Sequence, residues 1–177
     1  YHKDLMYEAM AHYEENTPIT FIEYFTDDFY SLPHGVLMKY TGDNSINSSY
    51  YPFGQGDYIT DLRMGGERWF DLSTAIHELG HVVGLPHEFQ RADRDEYIII
   101  NWDNIPESWH GNFEITEIDF NTPYDPNSVM GYDPYAINLD SDIPSVEMQD
   151  GRKIQRSTYL TELDIAKINE LYCSQTQ

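Results

Sequence analysis

Only one of the 177 residues is cysteine, Cys173, so no internal disulfide can form and cysteine usage carries no signal of compartment. Basic residues are scarce as well: 10 Lys and Arg stand against 31 Asp and Glu, a formal net charge of −21. A chain of that sign is repelled by nucleic-acid backbones and by anionic membrane surfaces, which excludes both as partners. No apolar run approaches the roughly 20 residues that a bilayer-spanning helix needs. Repeats, low-complexity segments and a signal peptide are absent, although a chain that opens at Tyr1 rather than Met reads as a processed or trimmed product. At 40% hydrophobic and 15% aromatic the chain is too apolar for disorder. Its length fits one compact unit, with two lobes at most.

The charge is unevenly placed. From Asp95 to Gly151 there is no Lys or Arg, while 13 acidic residues fall in that stretch. Two readings stay open: a solvated, loop-rich surface kept soluble by charge, or an electrostatic funnel for a cationic substrate.

Leu5, Met6, Ala9, Met10 and Tyr13 recur at helical spacing until Thr17-Pro18 stops them, which predicts a helix over about 3–15. Apolar, β-rich runs predict strands at Ile19–Phe25 and Val36–Tyr40, and a looser alternation predicts an edge strand at Asp57–Arg63. Residues 42–56 read as a Ser/Asn/Gly/Tyr loop. A second helix fits Asp71–Val83, capped by Asp71 or Ser73 and stopped by Gly84. Beyond Pro86 the chain reads as irregular apart from Tyr97–Ile100. Thr161-Glu162-Leu163-Asp164 then resembles the start of a last helix running to about Tyr172. The division falls near residue 87, giving an ordered N-terminal subdomain, 1–87, and a looser C-terminal one, 88–177.

The chemistry is concentrated in His77-Glu78-Leu79-Gly80-His81-Val82-Val83-Gly84-Leu85-Pro86-His87. On a helix His81 lies four residues beyond His77, about 40° round the axis, so both imidazoles face one point. Glu78, between them in the chain, can reach a water on a metal without ligating the metal itself. Gly84 can take a backbone conformation that other residues resist, turning the chain so that His87 supplies a third nitrogen. Three neutral imidazoles and an open position describe a catalytic zinc site, whereas a structural site is closed by four protein ligands. Two histidines flanking a glutamate arise readily by chance in helices. The extended form fixes His77, Glu78, His81, Gly84 and His87, about one chance in 10⁶ to 10⁷ per start point at uniform residue usage.

The extended motif resembles that of the metzincin clan, and the residues after His87 are similar to those of the astacin family within it. Glu88-Phe89-Gln90-Arg91-Ala92-Asp93-Arg94-Asp95 resembles the astacin continuation, and Tyr97 to Ile105 resembles the strand and turn beyond it. Asn112-Phe113 matches a further family position. Ser128-Val129-Met130-Gly131-Tyr132 resembles the family's Met-turn, and Leu160 to Cys173 its terminal helix. The resemblance implies an α+β, metzincin/astacin-like fold with two subdomains either side of an active-site cleft. The N-terminal one would hold a twisted sheet and two helices; the C-terminal one would be irregular and end in a helix. It further implies one catalytic Zn2+ on His77, His81 and His87, with Met130 as an apolar floor and Tyr132 as a fifth ligand. Glu78 and Tyr132 would be the catalytic residues of a secreted, extracellular metalloendopeptidase. Its partners would be protein or peptide substrates, extending to matrix proteins such as elastin or collagen, and an N-terminal prosegment in the precursor. A monomer is expected.

By the same resemblance Glu88 would meet the ammonium of a mature N-terminus, while the residue alone also reads as an exposed acid beside a ligand. Arg152 or Arg156 would stand near the wall that selects an acidic residue after the scissile bond, and both also read as solvated positions. An extended substrate would pair with the Asp57–Arg63 edge strand. Three features depart from the family pattern. Gly131 replaces a His of the turn. Two disulfides are reduced to a lone Cys173, whose family partner falls near Pro18. Tyr1 begins within the family's first helix.

Two other classes of function compete with an enzyme. An inactive zinc-binding module on the same fold is disfavoured because it need not retain Glu78. A calcium-binding acidic surface needs ordered Asp spacing such as an EF-hand loop, which is absent.

Overall fold

A computed structural model describes residues 2–24, 34–40, 58–65, 71–116 and 120–173. The chain forms two compact units, Tyr1–Leu85 with Ile168–Gln177, and Pro86–Lys167. Among the described residues no helix is long and apolar enough to cross a membrane.

In the first unit the 3.6-residue period does what it predicts. Helix α1, His2–Asn16, buries Met6, Ala9 and Tyr13 at intervals of three and four. It packs against helix α2, Leu72–Val82, and the Tyr13 phenol donates to Ile76 O at 2.8 Å. That bond satisfies a hydroxyl that would otherwise be costly to bury. Strands β1, His34–Tyr40, and β2, Tyr58–Met64, pair in parallel, with Val36 opposite Thr60 and Met38 opposite Leu62. The end of helix α3, Glu162–Cys173, closes the same unit, with Ile168 buried and the Tyr172 hydroxyl donating to Val83 O at 3.0 Å.

The strand expected at 19–25 does not form over residues 19–24, and Phe25 lies outside the described residues. Local acceptors take the donors that a ladder would use: Ile19 N–H donates to Thr17 Oγ1 at 3.2 Å and Phe21 N–H to Glu14 Oε1 at 2.8 Å. Ile22 is left 83% exposed, which a core strand would not tolerate. The loop expected at 42–56 also lies outside the described residues.

The second unit has little regular structure, as its composition suggests, but its core is apolar. Phe89, Ile98, Ile105, Phe113, Tyr124, Val146 and Met148 form one buried cluster. Strand β3, Ile98–Ile100, pairs antiparallel with a strand that the sequence did not announce, β4, Val146–Met148. Their inward residues, Ile98 and Met148, face each other across the register. With no disulfide available, two buried arginines cross-tie the loops. Arg94 Nη1 donates to Phe89 O at 2.8 Å and to Phe113 O, and the guanidinium lies 5.7 Å from the Trp102 ring centroid. Arg91 grips Asp93 in bidentate fashion at 2.9 and 2.8 Å and donates to Thr122 O at 2.9 Å. Burial leaves such donors no water to fall back on, so each bond here is one the fold requires.

Candidate metal centre

Helix α2 begins and ends as its residues dictate. Asp71 caps it, accepting from Thr74 N–H at 2.8 Å. At the other end Gly84 adopts φ 101°, a conformation that costs glycine nothing. Leu85 N–H donates back to Gly80 O at 2.9 Å and Gly84 N–H to His81 O at 3.0 Å, the two bonds of a Schellman cap. The helix therefore stops sharply, and Leu85-Pro86-His87 leaves in a new direction.

His77 and His81 lie on α2 with their rings 4.8 Å apart at 87°. One ring nitrogen from each of His77, His81 and His87 lies within 4.8 Å of the others, and all three side chains are buried. An ion held at about 2.1 Å from every nitrogen needs them no more than about 4.2 Å apart, which small ring rotations supply. His81 Nδ1 lies 2.8 Å from Leu85 O. A carbonyl can only accept, so Nδ1 carries the proton and Nε2 is left as the lone-pair donor a metal needs. Burial lowers the His81 pKa to about 4, so the imidazole is neutral at pH 7. Three buried, neutral-capable imidazoles and no thiolate or carboxylate in the set fit zinc with an open position.

Glu78 is buried at 5% exposure, one residue after the first of these histidines. Beyond the helix, the His87 ring stacks on Phe89 at 4.9 Å and 21°, and meets the Tyr132 ring at 4.6 Å. Tyr132 also contacts Phe89 at 5.0 Å and Phe113 at 5.9 Å, so it is set against His87 by an aromatic layer. The turn that carries it is held throughout. Met130 is buried, its N–H donates to Ser128 Oγ at 3.0 Å, and Gly131 N–H donates to Ser128 O at 3.0 Å. Gly131 has no positive φ, and a Cβ there would stand 3.4 Å from Ser128 O, so its backbone does not demand glycine.

Two further residues near the triad have partners across the fold. Glu88 is buried rather than exposed, and its partner is Lys167, which donates to Oε2; Oε1 accepts Asp125 N–H at 2.8 Å. Burial pushes the Glu88 carboxyl upward, and Lys167, Asp125 N–H and Arg91 act against that shift. Arg156 is half-buried, and its Nε donates to Val129 O at 3.1 Å and Gly131 O at 2.7 Å, on the turn itself. Arg152 is exposed and paired with Asp150 at 2.6 Å. No local pattern announces the Lys167–Glu88 pair or the Arg156 contacts, since each spans more than 20 residues of chain.

Residues 1–173 match the model of the Astacin peptidase family. The chain is 37% identical over 144 residues to an astacin-like metalloprotease toxin 5 of Loxosceles gaucho, covering 80% of this chain and 73% of the toxin. To an astacin-like metalloendopeptidase of Coturnix japonica it is 34% identical over 172 residues, 94% of this chain but only 40% of the other. A solved structure of high choriolytic enzyme 1, a hatching enzyme zinc-protease from Oryzias latipes, superposes with a TM-score of 0.79 at 27% identity, over 97% of this chain and 82% of that one.

Proposed function

This chain belongs to the astacin family of zinc metalloendopeptidases, and we propose that it hydrolyses internal peptide bonds of proteins using His77, His81, His87, Glu78 and Tyr132. The observation that carries the proposal is the set of three buried ring nitrogens within 4.8 Å of one another, with the buried Glu78 on the same helix as two of them. His77, His81 and His87 would hold the ion, with Tyr132 as a fifth ligand. A bound zinc ion supplies Lewis-acid polarisation of the scissile carbonyl and brings the pKa of water toward neutrality. Glu78 takes the proton of the attacking water and delivers it to the leaving amine. The Tyr132 phenol donates a hydrogen bond to the oxyanion as the carbonyl becomes tetrahedral. Substrate lies extended along β2 and pairs with it in β fashion.

Secretion, an N-terminal prosegment in the precursor and a monomeric enzyme belong to the same reading, which the relatives named as toxins support, since a toxin acts outside the cell that makes it. Matrix proteins such as elastin or collagen are the substrates to try first.

A chelator such as 1,10-phenanthroline is expected to abolish casein cleavage, and added zinc to restore it. Full cleavage by protein shown by atomic absorption to hold no zinc would overturn the proposal. Tyr132→Phe separates ligand from donor. Losing one oxyanion donor costs about 10²–10³ in kcat, and the bound zinc is expected to stay equal to that of the unaltered protein. Zinc lost in step with rate would make Tyr132 a structural residue instead.

A further inference from the structure

Among the described residues only one lysine is fully buried, and it adjoins the segment that carries His87. Lys167, on α3, is 2% exposed; its ammonium donates to Glu88 Oε2 and stands 3.7 Å from Asp164 Oδ1. An ammonium out of water is costly unless its partners are held in place, and both of these are. Each then leads to the site. Glu88 follows His87 directly, and its N–H donates to Met130 O at 3.3 Å. Asp164 Oδ2 accepts Val129 N–H at 3.1 Å, and Oδ1 accepts the Ser128 hydroxyl at 2.5 Å. The Ser128 oxygen in turn accepts Met130 N–H at 3.0 Å. One cation thus joins the carboxylate next to a zinc ligand to the carboxylate that holds the turn before Tyr132.

Stability alone does not ask for this arrangement, because an apolar pair of the same volume stabilises a core as well or better. What a charged pair adds is a defined place for each carboxylate; here one belongs to the residue that follows His87, and the other holds Val129 N–H and the Ser128 hydroxyl of the turn before Tyr132. We propose that Lys167 is a positioning residue for the zinc site: by clamping Glu88 and Asp164 it sets where His87 and Tyr132 stand. The proposal rests on the peptidase reading above.

The test replaces Lys167 by Met, of similar length and no charge, and loads the protein with cobalt(II), whose visible spectrum reports ligand geometry with no turnover. Lys167→Met is expected to shift that spectrum, to weaken zinc binding about 10–100-fold as loss of an outer partner does, and to lower kcat while KM changes little. Lys167→Arg, which keeps a cation, is expected to recover part of the spectrum. Ser128→Ala removes one link only, so it decides the matter if Lys167→Met does not fold; the same spectral shift, smaller, is expected. Wild-type spectra and zinc affinity in the folded variants, with only a lower unfolding midpoint, would overturn the proposal. Spectrum and affinity are read on protein that need cleave nothing. An inactive wild-type protein would therefore sink the peptidase reading while leaving this test intact.

Discussion

Glu78→Gln is expected to keep its zinc and lose about four orders of magnitude in casein cleavage, the upper end of what a general acid–base residue supplies. The upper end applies because one carboxylate serves twice, as base toward the attacking water and as acid toward the leaving amine. Gln matches Glu in volume, so a side chain with 5% exposure can be exchanged without opening a cavity in α2. An amide, however, does not take up a proton near neutral pH. The two measurements are bound zinc by atomic absorption and the initial rate on casein, made on the same preparation. Normal cleavage at full zinc occupancy would mean that another group moves the proton. Zinc lost along with activity would mean that Glu78 supports the ligands rather than the chemistry.

Helices and the metal triad were legible in the sequence because both are local. Met6, Ala9 and Tyr13 carry a period, Asp71 and Gly84 mark two ends, and His77 to His87 needs only one helix and one turn to converge. The strand expected at residues 19–25 failed for a reason the composition hides. Thr17 and Glu14 offer side-chain acceptors to the backbone, and a run of β-formers does not reveal that competition. The short strand β4 stayed invisible because three residues carry too little pattern, and its partner lies about 50 residues earlier. Glu88 shows the limit most clearly. Its neighbours in sequence make it an acid near a ligand, while its burial and its pairing with Lys167, 79 residues away, come from the fold.

Among the described residues the acidic stretch resolves into two kinds, Glu117 and Asp119 lying outside them. Asp95, Glu96, Asp103, Glu107, Glu114, Asp133, Asp140, Asp142, Glu147 and Asp150 are exposed or half-exposed, as a solvating surface requires. Asp125 is buried and structural: its Oδ2 accepts the Thr161 hydroxyl at 2.6 Å and its Oδ1 accepts Asn127 N–H at 3.0 Å. Exposed acids serve a solvating surface and a funnel for cationic substrate alike, whereas Asp125 is held within the fold.

His87 holds two positions at once, as a ring in an aromatic layer and as a nitrogen in the triad, and one substitution separates them. His87→Phe keeps a ring that can stack on Phe89 and meet Tyr132, where the imidazole now lies at 4.9 and 4.6 Å. It removes the nitrogen. Zinc in four-ligand protein sites is bound by about 10–16 kcal/mol, so one ligand is worth roughly 2.5–4 kcal/mol, or about 10²–10³ in affinity. The metal-free variant is expected to unfold in urea within about 3 kcal/mol of the unaltered metal-free protein, since placing a somewhat larger ring in a packed site costs about 1–3 kcal/mol. Competition with a chelator of known zinc affinity then reads the ligand role by itself, and casein cleavage should fall to background with it. Unchanged zinc affinity would remove His87 from the ligand set and leave His77 and His81 as an incomplete pair. A large loss of metal-free stability at unchanged affinity would assign the residue to the aromatic layer alone. Only the combination of weak zinc binding and an intact fold fits a third ligand that packing places and chemistry uses.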